Sequence, residues 1–135
     1  MPVDKKAILA AMDELDPGKL FFVDRKTGQV TKVTLEDKPG FDRMKKMLAA
    51  EPQRFTQVPK TDASQNMAEV EKFISMVQDP RLKEVFKRAM TSHRPFREFR
   101  DALATKVKEK REWDIYHRKN LEERVERFVR SAGLT

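Results

Sequence analysis

Two hydrophobic periods alternate along this chain, and the changes between them mark its elements. Ile8, Leu9, Met12 and Leu15 recur at helical spacing behind Asp4, a residue type that caps helix starts. They predict an amphipathic helix over residues 4–15. Asp16-Pro17-Gly18 ends it. Leu20-Phe21-Phe22-Val23 is a continuous apolar run, too short for a helix and rich in strand formers. Beyond Asp24-Arg25-Lys26-Thr27-Gly28 the pattern alternates, with Thr31, Val33 and Leu35 on one face and Val30, Lys32, Thr34 and Glu36 on the other. Two strand-like runs around a glycine-bearing turn predict a hairpin over residues 20–35, with Gly28 at positive φ. Its first strand, apolar on both faces, is expected to be central. A calcium loop at 24–28 is disfavoured, because the alternate acidic ligands are absent.

Asp37-Lys38-Pro39-Gly40 reads as another break, followed by helical spacing at Phe41, Met44, Met47 and Leu48. Arg54 to Pro59 is short, β-prone and closed by proline, which predicts a third strand at a sheet edge. Asp62 and Gln65 form a capping-box pattern ahead of Met67, Val70, Phe73, Ile74 and Val77. Asp79-Pro80 starts the next helix, with Leu82, Val85, Phe86 and Ala89 inward and Arg81, Lys83, Lys87 and Arg88 outward. Thr91-Ser92-His93 is the joint to a helix opened by Pro95. On it Phe96, Phe99 and Leu103 make one stripe, while Arg97 points away and Arg100 lies on the flank. The apolar signal weakens through 104–106. A long last helix then runs to about Ser131, burying Trp113, Tyr116, Leu121, Val125 and Phe128 at least in part, with Gly133 as its C′ residue.

The sum is an α+β fold: a small antiparallel sheet, made of the hairpin and a short third strand, with five to six helices. A single domain over residues 1–135 is expected, its early α/β part about 1–60 and its helical part about 61–135. One core is expected from Phe22, Val33, Phe73, Phe86, Phe96, Phe99, Leu103 and Trp113, with Phe99 near its centre.

Charge sharpens this picture. The net charge is +7. Residues 81–111 hold eleven Lys/Arg against four Asp/Glu, and the rest of the chain balances at eighteen of each. The whole excess therefore sits around the Arg94–Leu103 helix, and a local basic field attracts anions. There is no cysteine, which excludes disulfides, thiolate metal sites and cysteine nucleophiles. No apolar run approaches a membrane span, and the start of the sequence has no apolar leader core. A cytoplasmic protein without membrane association is the expectation.

No motif in the sequence is specific for catalysis. Gly18, Gly28, Gly40 and Gly133 are scattered and form no phosphate loop or dinucleotide fingerprint. His93 and His117 lack the spacing of a helical zinc pair and read as structural or solvated; no metal or cofactor is expected. Glu98 and Asp101 are explained by ion pairing on an arginine-rich helix. Arginine interleaved with Phe96, Phe99, Trp113 and Tyr116 suggests single-strand binding by stacking, but these aromatics share the stripe that must fill the core. Residues 80–103 have the outline of a helix-turn-helix, yet bases on both helices suit a general phosphate surface better than a reading helix.

Several stretches together resemble a bacterial family known as uncharacterised protein family 0158. They are Leu20-Phe21-Phe22-Val23-Asp24 with Thr27-Gly28-Gln29-Val30, Arg54-Phe55 with Val58-Pro59, and Met67 through Phe73-Ile74. Asp79-Pro80-Arg81-Leu82, the block Pro95-Phe96-Arg97-Glu98-Phe99-Arg100-Asp101 and Trp113 complete the set. The Pro-Phe-Arg-x-Phe block is the most specific of these. This chain carries Ser92-His93-Arg94 where the family pattern has glycine, and Phe128 where it often has a second tryptophan. The resemblance implies a fold and brings no activity or catalytic residue with it.

The functional expectation is a non-catalytic binding or regulatory module. Its anion site would centre on Arg94, Arg97 and Arg100 with support from Lys87 and Arg88, for a nucleic acid, a nucleotide or an acidic protein. The alternative is an enzyme whose carboxylates, such as Asp24 or Asp101, are brought together by the fold.

Overall fold

Among the described residues, aspartates start four of six helices. In a computed structural model, which describes residues 2–134, Asp4 accepts from Ala7 N ahead of α1 (Lys5–Asp13) and Asp37 from Gly40 N ahead of α2 (Lys38–Ala50). Asp62 and Gln65 close a full capping box at α3 (Ala63–Met76), and Asp79 receives Arg81 N and Leu82 N at α4 (Pro80–Met90). Each carboxylate takes up backbone N–H groups that the first turn leaves without partners. Helices α5 (Pro95–Ala104) and α6 (Val107–Ser131) follow. Asp37 through Gly40 is therefore a helix start and not a break, because proline is compatible with a first turn.

Three strands, β1 (Lys19–Asp24), β2 (Val30–Thr34) and β3 (Phe55–Gln57), form one antiparallel sheet in the order β2-β1-β3. The expected hairpin, its central first strand and the edge position of the third strand are all present. Leu20 opposes Val33 and Val23 opposes Val30, so alternate residues of β1 feed different faces. The α+β class follows.

The chain divides into two compact units, Met1–Thr61 with Leu121–Thr135, and Asp62–Asn120. In the first, one sheet face packs Val23 with Ile8, Ala11, Met12, Val58, Leu121, Val125, Val129 and Leu134. The other packs Phe22, Val33 and Phe55 with Met44. In the second, Val70, Phe73, Ile74, Val77, Leu82, Phe86, Phe99 and Leu103 form one cluster flanked by Phe96 and Trp113. Phe22 and Val33 thus do not share the core of Phe99. Both faces of a three-stranded sheet need covering, and helices of the sheet's own unit cover them. Leu15 and Val85, expected inward, are exposed: α1 ends before Leu15, and Val85 lies beyond the edge of its helix's apolar stripe.

Two glycines have positive φ, Gly28 at 77° and Gly133 at 68°. Gly133 and Leu134 N–H groups bond back to Arg130 and Val129 carbonyls at 3.2 and 2.9 Å, a Schellman closure of α6 with Leu134 folded into the core. At Gly28 a Cβ would stand 2.3 Å from the Pro2 carbonyl oxygen, and the Gly28 carbonyl accepts from Asp4 N at 2.9 Å. Gly28→Val should therefore lower the unfolding temperature far more than Thr27→Ala, by backbone strain and by displacing the segment before α1. Phe99→Ala should cost roughly 3–5 kcal/mol in urea titration, as for other fully buried aromatics; a loss under about 1 kcal/mol would contradict its central place.

Candidate anion-binding surface

The sequence-predicted site lies on α4 and α5. Helix α4 carries Lys87 and Arg88 in its last turn, where cations complement the helix dipole. Thr91 and Ser92 hydroxyls donate to the Arg88 and Ala89 carbonyls at 2.8 and 2.7 Å and close that end. Arg94 occupies the N-cap position of α5 without a side-chain capping bond, and Pro95 opens the helix. Phe99 fixes the rotation of α5. Its ring meets Phe86, Trp113 and Phe73 edge-on at centroid distances of 5.2, 5.1 and 6.2 Å. With Phe99 and Leu103 buried, Arg97 and Arg100 are left in solvent.

All five cations, Lys87, Arg88, Arg94, Arg97 and Arg100, are exposed, and none makes an ion pair within 4 Å among the described residues. Glu98 and Asp101 are exposed as well and do not neutralise them, contrary to the ion-pairing explanation. The fold gathers these cations on two packed helices but does not point them one way. Lys87 lines a groove between α3 and α4, whereas Arg88, one residue on, sits about 100° further round the helix. The groove has a volume of about 410 Å³ and is lined by Glu71, Ile74 and Ser75 of α3 with Lys83, Lys87, Met90 and Thr91. Base stacking on Phe99 is ruled out by its 1% exposure. Trp113 is half-buried against Phe73, Phe99 and the His117 ring, its centroid 5.2 Å from the last with the planes nearly parallel.

Two further clusters are built around carboxylates. Asp24, at the end of β1, accepts from Arg54 Nε and Nη2 at 3.0 and 2.8 Å and from Lys26 N at 2.9 Å. Arg54 Nη1 and Lys26 Nζ both reach Glu51, at 2.7 and 2.9 Å. The Arg54 hydrogen bonds hold the Asp24 carboxyl at about 2, against burial, which works to raise it. Glu51 is lowered too, first by Arg54 and then by Lys26. A carboxylate so saturated is a tie between the hairpin turn and the segment leading into β3, and a weak proton acceptor. Asp101, the other carboxylate of the enzymatic alternative, is exposed on α5.

In the second unit, Glu69 of α3 is buried and hydrogen-bonded to His117 Nδ1 and, at 3.2 Å, to Asn120 Nδ2 of α6. His117 is thus the structural histidine expected, while the role of Glu69 was not anticipated. The signal was its place among Met67, Val70 and Phe73: an acid inside an apolar stripe needs polar partners from a facing element. No group of three His, Cys, Asp or Glu side chains is arranged to hold a metal ion among the described residues. No helix among them is long and apolar enough to cross a membrane.

The folded Asp24 carboxyl lies below its ordinary 3.8, so its contribution is complete above about pH 5 and is lost as pH falls toward 2. The stability difference between the parent and Asp24→Asn, read by urea titration, should be constant from neutral pH to about 5 and shrink below that. A difference that grew on acidification would contradict the assignment.

The model of the Uncharacterised protein family (UPF0158) matches residues 1–135, the whole chain. Comparison with curated proteins and with solved structures found no match.

Proposed function

The chain belongs to UPF0158 over its whole length, a family whose name assigns no chemistry, and we propose from its surface that it is a non-catalytic binding or regulatory module for an anionic partner, acting in the cytoplasm. The observation that carries this reading is the set of five exposed, unpaired cations on α4 and α5, in the segment that holds the entire charge excess. Arginine suits the task, because its planar fork meets phosphate or carboxylate in a bidentate way. A buried Phe99 below the arginines holds their backbone in place, which lowers the ordering cost of binding. Nucleic acid, a nucleotide and an acidic protein all fit this chemistry. Saturation of Asp24 by Arg54 favours binding over acid–base catalysis.

The test is a native pull-down with nucleotide, nucleic acid and protein measured in the same sample. Arg94→Glu with Arg97→Glu should abolish retention of the partner while leaving the circular dichroism spectrum and unfolding temperature unchanged. Retention should also fall steeply with salt if the partner is nucleic acid. A folded double variant that keeps every interaction of the parent overturns the proposal.

A further inference from the structure

The groove between α3 and α4 is built differently from the arginine face. Its floor is apolar, with Ile74 buried and Met90 half-buried. One wall carries Lys83 and Lys87, i and i+4 on α4, so the two ammonium groups stand one turn apart. Neither is in an ion pair among the described residues, although Glu71 lines the facing wall. An apolar floor offers nothing to a phosphate backbone. It suits an apolar side chain flanked by acids, the helix-groove kind of recognition.

The chain itself carries such a segment. At the end of α1 comes Asp13-Glu14-Leu15-Asp16, and Leu15 is 58% exposed, the most exposed large hydrophobic residue among the described residues of its unit. The segment is held in shape. Glu14 N donates to the Ala11 carbonyl at 3.3 Å, and Asp16 N to Glu14 Oε1 at 3.1 Å. Gly18 N donates to Asp16 Oδ1 at 2.8 Å, and Lys60 Nζ caps the Asp16 carbonyl. A preformed protrusion loses little freedom on docking. We propose that a second copy of this chain docks in the α3–α4 groove, seating its Leu15 over Ile74 and Met90 with its Asp16 against Lys83 and Lys87.

Protrusion and groove are different patches, so each contact joins unlike surfaces of the two copies. It is also small, so self-association is weak and appears at high micromolar concentration. The proposal stands apart from the arginine face, with Lys87 the one residue in common.

Sedimentation velocity across a concentration series tests it. The parent should self-associate, and Leu15→Ser should weaken this at least about tenfold. Ser75→Trp, which fills the groove without changing charge, should do the same. Lys83→Glu with Lys87→Glu, and separately Asp16→Lys, should each stay monomeric, and mixing the two should restore association between them. Arg94→Glu with Arg97→Glu should associate like the parent, so loss of partner binding and loss of self-association are read separately. If the Asp16 variant unfolds, Leu15→Ser and Ser75→Trp decide. A parent that stays monomeric, or association that survives both of these, overturns the proposal.

Discussion

Burial of the Phe99 ring is the constraint on which the helical unit depends. Phe73 of α3, Phe86 of α4 and Trp113 of α6 each approach that ring edge-on, so one side chain sets the packing of four helices. Edge-to-face geometry adds about 0.5–1.5 kcal/mol per pair to the gain from burial itself. It also fixes helix rotation, because a turned α5 would lose three ring contacts together. The exposure of Arg97 and Arg100 is a consequence of that rotation. Their position is set from below, by a ring that is fully buried.

The sheet unit solves a different problem. A three-stranded sheet with apolar residues on both faces of β1 must be covered twice. Ile8 and Met12 of α1, with Leu121, Val125 and Val129 of α6, take one face, and Met44 of α2 takes the other. The bidentate Arg54–Asp24 pair ties the hairpin turn to the segment entering β3. Burial would raise the acid's pKa if it stood alone, and the guanidinium reverses that direction.

Local signals were legible in the sequence wherever one residue type has one mechanical use. Asp4, Asp62 and Asp79 cap helices, Pro95 opens one, and Gly28 and Gly133 take positive φ. Asp37-Lys38-Pro39-Gly40 was misread because a capping aspartate before proline spells both a turn and a helix start. The exposure of Arg97 and Arg100 was legible too, since it needs only periodicity. What escaped was pairing between elements distant in sequence. Forty-eight residues separate Glu69 from His117, and nothing local names the partner of a buried acid. The α3–α4 groove exists only once two helices pack, so no single stretch announces it.

The unpaired cations cost the fold little, and that is why the sequence can keep them. An exposed ion pair is worth only about 0–1 kcal/mol, so each partner omitted for Arg94, Arg97 or Arg100 gives up less than one buried phenylalanine contributes. Stability and surface charge are thereby separated within a single helix. Phe99 and Leu103 carry the first on one side of α5, and the arginines carry the second on the other. The helix that follows shows the contrast: Lys110 does pair with Asp114, at 3.1 Å and i, i+4 spacing. Arg94 and Glu98 stand at that same spacing, as do Arg97 and Asp101, and no pair forms. Spacing therefore permits neutralisation on α5, and the packing that fixes the helix does not require it.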